Sequence, residues 1–370
     1  MNSTYRICNR CVMDTTDPDI HFDENGHCNH CRSLLKAIET IKHNHKYSQE
    51  NLKTIVSKIR NHGKNKEYDS ILGISGGVDS SFLAYNAKKF GLRPLLVHFD
   101  NGWDSELAVK NIENIVKKLD FDLYTYVIDW EEFKDLQRSF FKASVVDIEM
   151  LTDHAIMATM FKLARKYKIK YVLSGTNIAT EFIMPPKWLY QKWDIKNIKS
   201  IQKRYGTKKI DKFPIHGPWA YFFTRYLYKF EYVEILNYID YNKNEAIEIL
   251  KNELGWKYYG GKHYESVFTR FYQGYILPRK YGIDKRRAHL SNLVCTGQIT
   301  RDDALKDLTK ETYEPDLIRQ DKEYVIKKLC YTNEEFEQIL QDKPKTHLEY
   351  PNSYWIYRLY KKLTDNRNKT

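Results

Sequence analysis

Short apolar runs alternate with amphipathic stretches from Tyr68 onward, and this alternation sets the fold class before any single residue is weighed. The runs 70–74, 94–99, 123–128 and 171–173 are short and mostly apolar, which predicts strands. Between them, Asp79 to Phe90 (closing on Gly91), Glu106 to Leu119 and Met150 to Tyr167 place apolar residues at helical spacing. Strands separated by helices predict a parallel α/β sheet. Upstream, Leu34, Leu35, Ile38 and Ile41, then Leu52, Ile55, Val56 and Ile59, outline two connecting helices. Beyond Pro185-Pro186 the chain turns aromatic and basic, with helix caps at Asn242 or Asn244, at Thr300 and at the Thr332/Glu335 capping box. The expected organisation is a small module over 1–45, a helical linker over 46–66, an α/β domain over 67–185 and a mostly helical region over 186–370.

Composition narrows the class without naming a partner. With 370 residues, 42% hydrophobic and 29% charged, the chain is globular, and disordered or fibrous classes drop out. No apolar run reaches the roughly 18 to 20 residues that cross a bilayer. The first thirty residues lack an apolar secretory core, so the cytoplasm is the expected location. Lys+Arg 60 against Asp+Glu 48 leaves +12, which fits an anionic partner or an AT-rich coding bias equally well.

Four of the six cysteines form Cys8-x-x-Cys11 and Cys28-x-x-Cys31. In a reducing compartment two such knuckles read as ligands of one tetrahedral ion, and the strand-like Asp19 to Phe22 with the Asp23-Glu24-Asn25-Gly26 turn between them completes a zinc ribbon. Four thiolates leave no open position, so a structural Zn2+ is expected. His27 and His30 are expected bystanders.

The chemistry concentrates at Ile71-Leu72-Gly73-Ile74-Ser75-Gly76-Gly77-Val78-Asp79-Ser80-Ser81. A strand runs through small residues into a helix, so backbone N–H groups and the positive helix end converge on one point, a phosphate cradle to which Ser75, Ser80 and Ser81 add hydroxyls. It is neither a Walker A loop nor a dinucleotide fingerprint. It resembles the Ser-Gly-Gly-x-Asp-Ser signature of the PP-loop ATP pyrophosphatases. That resemblance implies that the loop grips the β,γ-pyrophosphate of ATP while a substrate oxygen attacks the α-phosphorus, giving AMP and pyrophosphate. It further implies that Val97, Phe99 and Asp100, at the end of the second strand, form the adenine-reading edge. Gly175 and Thr176 resemble the Gly-Thr-x-x-x-x-Glu element of NAD synthetase-type members, which assigns Mg2+ to Glu181 alongside Asp79.

Members of that group deliver nitrogen or sulfur. Outside the ribbon only Cys295 and Cys330 remain, isolated from each other, so nitrogen is favoured over tRNA thiolation. No glutaminase motif is present, so ammonia is expected from a partner. The block Gly260-Gly261-Lys262-His263-Tyr264-Glu265, Phe268 to Tyr275, Pro278 to Ser291 and Gly297 to Arg301, with Arg10 to Asp14 at the start, resembles the N-acetyl sugar amidotransferases of bacterial surface-glycan synthesis. That likeness implies an ATP-dependent conversion of an acetamido to an acetamidino group on a nucleotide-sugar or nonulosonic acid, fed by separate glutaminase and cyclase-like proteins, with no nucleic acid partner. Lys262, Lys285 and Arg286 become candidates beside the reacting phosphate and Arg270 and Arg287 for the sugar, while His263 and Glu265 would orient ammonia or take its extra proton. Trp188, Tyr190 and Trp193 read as a lid or as core, and the basic aromatic tail 354–362 as packed on the body or touching a membrane surface.

Overall fold

The computed structural model describes residues 4–43, 47–217, 220, 228–261 and 264–359. Five parallel strands form its sheet: β1 (Ser70–Gly73), β2 (Pro94–Asp100), β3 (Leu123–Val127), β4 (Tyr171–Leu173) and β5 (Glu231–Val233), in the order β3-β2-β1-β4-β5. Gly73 pairs with Val97 on one side, and Leu72 with Leu173 on the other. The chain therefore leaves β1 toward β2 and later returns to its opposite side at β4. The loops after β1 and β4 diverge there, and the carboxyl end of such a switch point is where open α/β sheets bind ligands.

Four of the strands and their crossovers follow the apolar pattern. The helices α3 (Val78–Lys89), α4 (Glu106–Leu119) and α6 (Met150–Lys166) lie within a residue of the expected bounds. Leu72, Leu96 and Leu173 face α3 and α4 on one side of the sheet, whereas Ile71, Leu95 and Val172 face Phe161 and Leu163 of α6 on the other. The structure adds elements that the pattern does not announce. Helix Trp130–Ala143 follows β3 behind an Asp129 cap, and β5 has only three residues. The helix expected from the Asn242 or Asn244 cap is Lys243–Leu254, capped by Asn242 and closed by Gly255 at φ 63°, and it packs on α3. Thus β5 and this helix, both beyond residue 185, complete the sheet and its cover.

The two connecting helices are α1 (Asn29–His43) and α2 (Gln49–His62). Residues of the N-terminal ribbon, Trp188, helix 130–143, Phe271 and Phe336 share one large apolar cluster. Ribbon and C-terminal helices are therefore one packing unit. Trp188 and Tyr190 are core rather than lid: Tyr190 stacks on His347 at 4.2 Å and donates to Asp194 at 2.8 Å. In the tail, Tyr354 lies over Tyr190, whereas Trp355 and Leu359 are exposed, and 360–362 fall outside the described residues. No helix among the described residues is long and apolar enough to cross a membrane.

Candidate functional site

The cysteines meet as their spacing requires. All four are fully buried, and their Sγ atoms lie within 4.8 Å of one another. Cys8 to Cys31 is 3.8 Å and Cys11 to Cys28 is 3.6 Å, whereas a tetrahedron with Zn–S near 2.3 Å has edges of about 3.8 Å. Backbone amides of Arg10, Cys11 and Cys28 point at Cys8 Sγ, as thiolate charge requires. The donor set fits one zinc ion. His30 binds Asp17 at 2.6 Å and His27 sits beside Asp23, so neither joins the cluster.

Arg287 belongs to this module rather than to the cleft. Its guanidinium pairs with the fully buried Asp14 at 2.9 Å and donates to the Val12 carbonyl at 3.0 Å. Arg301 donates to the Cys8 and Cys11 carbonyls, and Ser291 Oγ accepts from Val12 N–H at 3.1 Å. Three side chains of the C-terminal region thereby hold the first knuckle.

At the end of β1 the chain turns through Ser75, Gly76 and Gly77 into α3. Gly76 has φ 78°, and a Cβ there would lie 2.7 Å from the Ala108 carbonyl oxygen, so α4 presses the loop into a shape that glycine alone tolerates. Ser80 Oγ donates to the Gly77 carbonyl at 3.2 Å and accepts from Ser75 N–H at 3.3 Å, while Ser75 Oγ accepts from Gly77 N–H at 3.2 Å. Ser81, in contrast, is fully buried and does not line this cavity. A cavity of about 260 Å³ opens above the loop, bounded by Ser75, Asp79, Gly175, Thr176 and Glu181. Gly175 lies under the backbone of Asp79 and Ser80, where its nearest approach would leave a Cβ only 3.5 Å away.

Tyr258 and Tyr259 line this cavity, and Tyr241 and Trp256 brace its loop from outside; no catalytic motif announces them. Tyr241 donates to Asp79 Oδ1 at 2.5 Å, where Asn177 Nδ2 also donates at 3.3 Å. Trp256 Nε1 donates to the Gly76 carbonyl at 2.9 Å, and the Tyr259 hydroxyl lies next to Gly77. Burial, and then the negative charges of Asp79 and Glu265, push the Tyr241 and Tyr259 hydroxyls far above the usual phenol range, so both stay protonated donors. The Tyr258-Tyr259-Gly260-Gly261 run is the one local signal that marks them.

A second cavity of about 550 Å³ continues from Ser75 along the strand ends, past Val97, His98, Phe99 and Asn101. Asp100 lies outside it and accepts from Gly102 N–H at 2.8 Å, shaping the turn. Glu181 and Glu265 line both cavities. Glu265 is brought there by a β-bridge between Asp104 and Ser266, in which Ser105 N–H donates to the Glu265 carbonyl and Val267 N–H to that of Trp103, each at 2.8 Å. His98 braces the bridge: its Nδ1 faces the Ile74 carbonyl at 3.3 Å and its Nε2 the Asp104 carboxylate at 3.2 Å. A carbonyl at one ring nitrogen and a carboxylate near the other favour the charged imidazole. Burial alone pushes its pKa down, but Asp104, the Ile74 carbonyl and Asp100 together raise it above the ordinary value.

The cavity's inner wall carries the expected Lys285 together with charges that the motifs do not reveal. Lys285 pairs with Glu149 at 2.9 Å, and Gln273 donates to both oxygens of that carboxylate. Lys192 pairs with Asp147 at 2.7 Å and Asp153 at 3.0 Å. Burial opposes charge on both members of the Lys192–Asp147 pair, yet the lysines hold Asp147 low and the acids hold Lys192 high. Gln273 projects from the π-helix Tyr272–Tyr281, an irregularity that often marks functional sites.

Of the remaining candidates, Arg270 makes a bidentate pair with Asp321 at 2.7 and 2.8 Å. Arg286 binds Asp284 and the carbonyls of Asp307, Lys310 and Glu311. Both line a third cavity next to the first two. Lys262 and His263 lie outside the described residues.

Comparison with known proteins joins the two halves of this site. Residues 265–364 match the family described as LPS biosynthesis protein WbpG-like, C-terminal domain. Residues 66–180 match Thiamine biosynthesis protein (ThiI), a stretch that holds the phosphate loop and ends at Thr180. The chain thus joins a stretch similar to ThiI, which carries the PP-loop signature, to one similar to the WbpG-like C-terminal domain. Its fold is a parallel PP-loop-type sheet with an N-terminal four-cysteine ribbon and a mostly helical C-terminal part. An uncharacterized protein of Methanocaldococcus jannaschii is 26% identical over 170 residues, which are 45% of this chain and 58% of that relative's length. Among solved structures, NMN synthetase from Francisella tularensis is 16% identical, over 58% of this chain and 87% of that one, at TM-score 0.29. The NH3-dependent NAD synthetase from Campylobacter jejuni is 15% identical, over 85% and 98%, at TM-score 0.29. At such scores the likeness bears on nothing further.

Proposed function

We propose that this protein is an ATP-dependent amidotransferase that turns an acetamido group of an N-acetyl sugar into an acetamidino group, in the cytoplasm, for a bacterial surface glycan. The observation that carries this reading is one chain holding both a PP-loop and a WbpG-like C-terminal domain, with Glu265 of the latter lying over the loop of the former.

An amide carbon is a poor electrophile because nitrogen donates into its carbonyl. ATP removes that obstacle. The acetamide oxygen forms a bond to the α-phosphorus as the bond to pyrophosphate breaks, and loss of the amide N–H proton to solvent leaves an O-adenylyl imidate. Ammonia then bonds to the imidate carbon, sheds a proton, and AMP departs with the original oxygen. Loop amides, Ser75 and Ser80 would hold the pyrophosphate, while the protonated Tyr259 adds a donor close by. Asp79 and Glu181, on facing sides of the phosphate cavity, suit Mg2+, which would neutralise phosphate charge when bound. Glu265, at the junction of the cavities, is placed to take the proton from attacking ammonia. Lys285 acts with Glu149 at the inner wall. Zinc folds the ribbon and takes no part in the chemistry. The acceptor is a UDP-linked diacetamido uronic acid or a diacetamido nonulosonic acid, and ammonia comes from a separate glutaminase with a cyclase-like partner.

Sulfur transfer to tRNA is the alternative, and among the described residues no cysteine lines any of these cavities, which supports nitrogen. The test is mass spectrometry of zinc-loaded protein with Mg2+, ATP, ammonium chloride and candidate acetamido sugars. Replacement of one oxygen by NH with stoichiometric AMP is expected. ADP in place of AMP, or AMP release that requires tRNA, would overturn the proposal.

A further inference from the structure

Two cavities line the phosphate loop and take the chemistry above, and a third borders both of them. The third, about 590 Å³, lies between the π-helix, the helix Arg286–Cys295 and the segment 307–314. It shares Lys243, Tyr258 and Gly261 with the phosphate cavity, and Gln273, Lys285 and His289 with the long cavity. It therefore opens onto the same junction from a third direction. Its volume falls within the range of about 300 to 1,000 Å³ typical of small-molecule sites.

Its lining says what class of ligand it suits. Four of its cations are matched within the protein: Arg270 by Asp321, Lys285 by Glu149, Arg286 by Asp284 and three carbonyls, and Lys310 by Asp307 at 2.5 Å. On the inner side of the chamber an anionic ligand would have to break Arg270–Asp321 or Lys285–Glu149 and strand a near-buried carboxylate, at a cost of several kcal/mol, whereas the exposed Lys310–Asp307 pair at the rim is weakly held. What the chamber offers instead is a dense set of oriented, already neutralised donors and acceptors, with the rings of Tyr258, Tyr264 and Tyr313. Hydroxyl and amide groups on a ring with apolar C–H faces match such a wall.

We propose that this chamber seats the sugar ring of the acceptor, an uncharged pyranose face bearing hydroxyls and the acetamido group, with any charged handle directed outward. This deepens, and rests on, the amidotransferase reading: in-line displacement requires the attacking oxygen opposite the departing pyrophosphate, and the third arm of the junction supplies that approach.

The probes are N-acetyl-D-glucosamine, which is neutral, and N-acetylneuraminic acid, which carries a carboxylate. Saturation-transfer NMR on the zinc-loaded full chain with Mg2+ and α,β-methylene-ATP reads their contact with the protein. Leu293, half-buried on the chamber wall, is replaced by Phe and by Trp to fill it in two steps, with zinc content and thermal melting confirming each fold. The expected result is transfer to the ring and acetyl protons of the neutral sugar, weakened a few-fold by Leu293→Phe and at least tenfold by Leu293→Trp, with nucleotide affinity unchanged within twofold. Unchanged sugar binding in both folded variants, equal loss of nucleotide, transfer confined to the carboxylated sugar, or no transfer at all would overturn the proposal. AMP release with ammonium and an acetamido sugar, run in parallel, separates the two claims. Release that survives Leu293→Trp keeps the reaction and removes this site, whereas sugar binding without any release by the unaltered protein removes the reaction and keeps the site.

Discussion

Replacing Arg287 by Met separates two roles for one cation. The side-chain stem is retained, but the ion pair to Asp14 and the hydrogen bond to the Val12 carbonyl are lost. Removing one partner of a buried pair costs about 3–5 kcal/mol. Asp14 is fully buried, yet it still accepts from Tyr5 at 2.7 Å and from Thr16 N–H at 3.1 Å, so the lower end, about 3 kcal/mol, applies. At about 2.1 cal/mol/K per residue, 370 residues give an unfolding entropy near 0.8 kcal/mol/K, and the melting temperature should fall by about 4 °C. Because the contact holds the first knuckle, the zinc should also become easier to extract. The assay is chelator competition followed with a chromogenic zinc indicator, beside thermal melting and AMP formation at saturating zinc. Faster zinc loss, a lower melting temperature and at least half the wild-type turnover are expected. Full zinc retention and unchanged melting with turnover abolished would refute this account and return Arg287 to the acceptor site.

His98→Asn should lower stability in a pH-dependent way. The histidine's folded-state pKa is raised, so its contribution is complete below the unfolded value of 6.5 and fades as pH rises through the folded value; the gap between wild type and variant in denaturant melts should narrow in the same direction, and a pH-independent gap would count against the imidazolium brace. Gly76→Ala forces a side chain into positive φ against the Ala108 backbone, at a cost of at least 1–2 kcal/mol, and ATP affinity by calorimetry should fall roughly tenfold or more. Cys28→Ser should abolish stoichiometric zinc by elemental analysis and expose the shared apolar cluster to a hydrophobic dye, since Cys28 and Phe271 belong to one core. Tyr241→Phe removes one donor from Asp79 and should leave folding intact while changing the Mg2+ dependence of ATP binding, read by calorimetric titration at several Mg2+ concentrations.

What the sequence determined by itself was the local part. Two cysteine knuckles suffice for a tetrahedral donor set because each pair of thiols is bound to a single turn, and the structure closes them as a cluster. The phosphate loop was equally legible, since strand, glycines and helix N-terminus are consecutive and Gly76 meets its positive φ within that run. Apolar runs of period one or 3.6 residues placed four strands and three crossovers, β1, β2 and β4 because neighbours bury them and β3 as an edge strand with no fully buried residue. A three-residue strand such as β5 has too few positions to show a period, and it exists only because β4 offers it an edge.

Tertiary structure alone decided where the charges went. Arg270, Arg286 and Arg287 look alike along the chain, but their partners Asp321, the carbonyls near 310 and Asp14 are brought to them by packing, leaving one cation on the ribbon and two on a chamber wall. Tyr241, Trp256 and His98 reach the phosphate loop from positions 24 to 180 residues away, by hydrogen bonds that no local spacing encodes. A side chain's chemistry is written in its type, whereas its role depends on which opposite charge or orphan carbonyl folding sets beside it.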